Sequence, residues 1–191
     1  MPDGVTIGQQ RSILRFLGKQ ISYEGKSLYP PDLYSSVIVD SFMDMLEDIW
    51  PILLGDPASL DEAPLYSTLM GQGVLYDFLK PRMEAGHGDL AMQFDFLEKA
   101  INDEGAFITG SDLSCADILL FAAIPWWGAG VFGSMEPMLS GRPKIERVIR
   151  AVAQLKEVAT YYSTHRSSRA DLPKVGSTDY SDYYSYSYSH S

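Results

Sequence analysis

An all-α fold is what the sequence predicts, and three observations carry the expectation. Apolar residues recur at helical spacing along most of the chain. Leu33, Val37, Ile38, Phe42, Met45, Leu46, Ile49 and Leu53 form the longest such run. Ser114 followed by Asp117 is an acidic variant of the capping box that opens helices. Val5-Thr6-Ile7 reads as a strand, but no other clear strand is there to pair with it.

The elements follow in order. The short strand comes after an Asp3-Gly4 turn. Gln9 to Gln20 reads as a helix with Ile13, Leu14, Leu17 and Ile21 on one face; Gly18 weakens its end, and Gly25 lies in the next loop. Pro30-Pro31-Asp32 starts the longest helix. Pro51 is placed to kink it near Trp50, and Gly55-Asp56-Pro57 ends it. A further helix is expected from Pro64 to Arg82, with Gly71 and Gly73 as weak points. The Gly86-His87-Gly88 turn leads to Asp89 as a cap, and Leu90, Phe94, Leu97 and Ile101 then share a face.

At Ser114 the hydroxyl is placed to accept from the Asp117 N–H. The Asp117 carboxylate is placed to reach back to the Ser114 N–H, and Leu113 and Ile118 can form a hydrophobic staple. This helix enters an apolar interior at Ile118 to Ile124, so its first N–H groups need partners from the cap. It is expected to stop near Pro125, with a loop from Trp126 to Met138. Pro143 to Leu155 reads as a helix with Ile145, Val148, Ile149 and Val152 inward, and a last short helix reaches Tyr162. From Ser163 the pattern dissolves. Residues 177–191 are a Ser/Tyr/Asp tract with no aliphatic residue to bury, so residues 163–191 are expected to be a disordered tail. A phosphorylated or self-associating role for it stays open.

Composition limits the functions. The 191 residues suffice for one core and a tail. A net charge of -10 repels phosphate backbones, which argues against nucleic acid as a partner. One cysteine allows no intramolecular disulfide and fits a reducing, cytoplasmic setting. The stretch from Ile118 to Gly133 is broken by Pro125, Gly128 and Gly130. It falls short of the ~20 apolar residues that span a bilayer, so no membrane span is expected. The opening Met1-Pro2-Asp3-Gly4 resembles no signal or transit peptide.

Few residues suggest chemistry by type alone. His87, His165 and His190 are scattered without metal-ligand spacing, so no metal is expected. Cys115 is either a low-pKa thiol at a helix start or a packing residue. Trp50, Trp126 and Trp127 either line an apolar substrate pocket or pack in core and loop. Asp40, Asp44, Glu47 and Asp48 line one face of the long helix, which read alone is a solvated acidic stripe.

Three segments, in matching order, resemble the soluble glutathione S-transferase superfamily, nearest its pi, sigma and alpha branches. Gly110-x-x-Leu113-Ser114-x-Ala116-Asp117-Ile118 is similar to the capped core helix of that family. Val39-Asp-Ser-Phe-Met-Asp44-Met-Leu-Glu-Asp48-Ile49 is similar to a helix whose acidic residue, matched by Asp48, holds the glutathione ammonium bound in the other subunit. Gln9-Gln10-Arg11-Ser12-Ile13-Leu14-Arg15 resembles the family's last thioredoxin-like helix. There a Gln-Ser or Glu-Ser pair grips the γ-glutamyl carboxylate at a helix N-terminus. Gln9 keeps the first position, whereas Gln10 replaces the short hydroxyl. Arg15 matches a position often found at the dimer interface.

The resemblance implies a fold and a function. Residues 1–21 are a truncated remnant of the thioredoxin-like domain, residues 30–162 a helical bundle like the family's C-terminal domain, and residues 163–191 the tail. The implied transferase activity is conjugation of glutathione, as co-substrate, to a small hydrophobic electrophile, and a homodimer is implied. The first two thirds of the thioredoxin-like domain, with its thiolate-activating residue, have no counterpart. Met1 falls inside what should be a strand, as in a sequence started too late. No catalytic residue is therefore assigned; Gln9, Gln10 and Asp48 are the expected glutathione contacts, and Ser114 and Asp117 the structural cap. The expectation is an enzyme relative that is weak or inactive as it stands. The alternative is a non-catalytic helical module for protein association.

Overall fold

A computed structural model of the chain describes residues 8–54, 81–83, 88–127 and 135–165. It is all-α apart from one small hairpin. The elements are α1 (Gln10–Gln20), β1 (Ser22–Tyr23), β2 (Lys26–Ser27), α2 (Leu33–Leu54), a 3-10 turn (Pro81–Met83), α3 (Asp89–Ala100), α4 (Cys115–Trp127), α5 (Glu136–Leu139), α6 (Pro143–Ala153) and α7 (Lys156–His165). The expected strand 5–7, most of the helix expected from Pro64 to Arg82, and the tail beyond His165 lie outside the described residues.

The core is the meeting of α2, α3, α4 and α6. Phe42, Met43 and Ile49 of α2, Leu90, Phe94 and Leu97 of α3, Leu120 and Ile124 of α4, and Ile145 and Val148 of α6 are all fully buried. The apolar faces expected on α3 and α6 are the buried ones. The expected face of α2 is buried at Phe42, Leu46, Ile49 and Leu53 but not at its start. Val39 and Met43 are buried, whereas Leu33 and Val37 are 80% and 53% exposed. The reason is local. The helix begins at Leu33 as an extension beyond the bundle, its start fixed by the Asp32 carboxylate accepting from the Ser35 N–H at 2.8 Å.

Several other expectations are corrected. A two-stranded antiparallel hairpin pairs Ser22 with Ser27 and Tyr23 with Lys26, where a loop was expected. Its turn needs left-handed backbone at Glu24 and Gly25 (φ 49° and 80°), and two-residue strands leave too short an alternation to read from sequence. Helix α4 runs through Pro125 to Trp127 instead of stopping there. Residues 136–139 form the short helix α5 inside the expected loop. Asp89 is the first residue of α3 and Gly88 is its cap residue. A side chain cannot replace the Gly88 hydrogen, because a Cβ there would lie 1.9 Å from the Arg82 carbonyl oxygen. Arg82 sits in the 3-10 turn, and α7 runs on to His165.

Helix α1 docks through two kinds of contact. Gly18 is buried against Tyr29 and against Cys115 at the start of α4. Its basic side chains face the acidic side of α2. The apolar face expected to point inward is only partly covered: Ile13, Leu17 and Ile21 are each more than 40% exposed.

Candidate functional site

The start of α4 is organised by one carboxylate. Asp117 Oδ2 accepts from the Ser114 N–H at 2.8 Å, and Oδ1 accepts from the Ile108 N–H at 2.7 Å. The back-reaching half of the expected capping box is therefore present. The forward half is not. The Ser114 hydroxyl donates to Asp117 Oδ2 at 2.6 Å instead of accepting from the Asp117 N–H. A fully buried carboxylate needs donors more than the helix needs a second acceptor, and the hydroxyl is the donor within reach. Burial pushes Asp117 up to about 6, opposed by those three hydrogen bonds.

The loop bonded by Asp117 is tight. Phe107 and Gly110 exchange backbone bonds at 2.9 and 3.1 Å, and Asn102 N–H donates to the Ile108 carbonyl. Gly105 has φ +84° and its α-carbon faces the Gly110 backbone, where a Cβ would come within 2.3 Å. The Leu28 carbonyl accepts the Cys115 N–H at 2.8 Å, so the segment after the hairpin supplies another partner for the α4 start.

Two polar clamps at α6 gave no recognised sequence signal. The buried guanidinium of Arg142 donates to Asp95 at 2.9 Å and to the carbonyls of Pro137, Met138 and Ala91. It thereby ties α3, α5 and α6 together. Glu98 of α3 accepts the backbone N–H groups of Lys144 and Ile145, both at 2.9 Å, and so caps α6 from a neighbouring helix. An Arg just before a helix-starting Pro was a readable cue for the first. The second joins residues far apart in sequence and has none.

The expected glutathione contacts lie at the other end of the chain. Gln9 and Gln10 are exposed at the α1 N-terminus. Gln9 makes no side-chain capping bond, and its backbone is at φ 69°, ψ 126°, a conformation costly for a residue with a side chain. No acidic residue lies in the first turn. On α2, the acidic stripe is not simply solvated. Arg15 pairs with Asp40 at 2.5 Å and Asp44 at 3.3 Å, Arg11 with Asp44 and, at 3.9 Å, Glu47. Tyr29 Oη donates to Asp40 at 2.8 Å. Asp48, one step further along, is exposed and bonded to none of the described residues. The structure thus brings α1 against α2 but shows no direct contact of Gln9 or Gln10 with Asp48.

Cys115 and Trp127 resolve as packing. Cys115 is buried against Met43, Sγ to Sδ 3.7 Å, and burial pushes its thiol up to about 11, the opposite of an activated thiolate. Trp127 is fully buried edge-on to Trp50 and Phe94, at ring distances of 5.8 and 6.1 Å. The side chain of Trp126 lies outside the described residues. Among the described residues no cluster of His, Cys, Asp and Glu could hold a metal, and no helix is long and apolar enough to cross a membrane.

Comparison with protein families places the helical part. The family described as glutathione S-transferase, C-terminal domain, matches residues 83–165. Over those residues the chain is similar to a glutathione S-transferase C-terminal domain. No curated protein matches the sequence significantly. The matched part of the transferase domain includes α3 to α7 with Ser114, Asp117 and Arg142. Gln9, Gln10 and Asp48 lie before it.

Proposed function

We propose that this is a glutathione transferase relative that retains contacts for the γ-glutamyl end of glutathione but does not ionise the thiol itself. The supporting observation is the strained start of α1 at Gln9, without a side-chain cap, beside a long helix on which Asp48 is exposed and bonded to none of the described residues, in a chain that resembles a transferase C-terminal domain over residues 83–165. The amides of α1 and the side chains of Gln9 and Gln10 receive the glutathione carboxylate. Asp48 of a second copy receives the ammonium in a homodimer, and the family's hydrophobic electrophile completes the reaction class. Thiolate is the nucleophile in such conjugation. The Tyr29 hydroxyl is committed to Asp40, with its pKa raised by burial and by that hydrogen bond. The setting is cytoplasmic.

The test uses residues 1–191 as they stand. Glutathione added to isotopically labelled protein should shift the amide signals of Gln9, Gln10 and Arg11, while conjugation of a general aromatic electrophile stays at the uncatalysed rate. Robust turnover would contradict the proposal, as would amide signals indifferent to glutathione.

A second reading, a non-catalytic module for protein association, is favoured by one observation. Leu33, Tyr34 and Val37 form a largely exposed apolar group at the start of α2. A chain that is monomeric and silent to glutathione would favour this reading.

A further inference from the structure

No further inference is drawn: the strongest candidate, the groove of about 470 Å³ along α6 lined in part by Pro143, Arg147, Ala151 and Gln154, carries nothing because nothing among the described residues shows what occupies it.

Discussion

Two regions of this molecule are held by different physics. At the start of α4 and the start of α6, buried charged groups are saturated by hydrogen bonds. Asp117 takes three donors, and Arg142 reaches three carbonyls and Asp95. At the α1–α2 junction, the charges are half-exposed and pair with one another. Arg15 is 27% exposed and its partners Asp40 and Asp44 are 37% and 54%. Buried polar groups cost several kcal/mol if a partner is lost, while exposed ion pairs are each worth about 0–1 kcal/mol and weaken in salt. The transferase-type helical core is thus the rigid part. The segment that carries the proposed glutathione contacts is attached to it lightly.

The strongest way to break the contrast is at Asp117. Asp117→Ala leaves two backbone N–H groups and a hydroxyl buried without acceptors, and should destabilise the chain by about 3–5 kcal/mol in chemical denaturation. Ser114→Ala removes one donor and leaves the two backbone bonds. It should cost about 1–2 kcal/mol. If both variants unfold at the wild-type midpoint, the α4 start is not the anchor described here.

Acidity sharpens the same point. The folded-state value of Asp117, about 6, lies above its ordinary 3.8, so the folded chain binds the extra proton between those values. The contribution to stability is fully present below pH 3.8 and is lost as pH rises through about 6. Asp32, Asp89, Asp103 and Asp112 shift downward and act in the opposite sense, so total stability hides the effect. Asp117→Asn does not titrate at this position. The stability difference, wild type minus Asp117→Asn, should fall across that window and be flat above it. A flat difference throughout would contradict the assignment.

Smaller effects belong to the lightly held region. Arg15→Ala removes pairs that are largely solvent-screened and should cost about 1 kcal/mol or less, with the loss shrinking in high salt. Asp48→Ala should change stability by no more than about 0.5 kcal/mol, because the side chain is exposed and bonded to none of the described residues. A large effect of either, in denaturation at low and high salt, would make the junction part of the rigid core.

Sequence reading reached the two regions unequally, for physical reasons. The apolar faces of α3 and α6 and the position of the cap at Ser114 were legible because helical periodicity and caps are local signals. The inward face of α2 was misjudged at Leu33 and Val37, since periodicity alone does not say where a helix leaves the bundle. The direction of the Ser114 hydroxyl depended on the carboxylate being buried, which is a tertiary fact. Glu98 capping α6, and Arg11 and Arg15 meeting the α2 stripe, join residues distant in sequence and left no local trace. The proposed glutathione contacts rest on resemblance. The structure adds the strained backbone at Gln9 and the exposure of Asp48.

Native-state hydrogen exchange at low and at about 1 M salt tests the contrast most directly, because it reports opening element by element and the Debye length falls to about 3 Å. The amides of Leu14 to Leu17 in α1 should open well below the free energy of global unfolding and lose further protection in salt. Those of Leu119 to Ile124 in α4 should open only with the whole domain and ignore salt. Equal protection of the two helices at both salt concentrations would contradict the account.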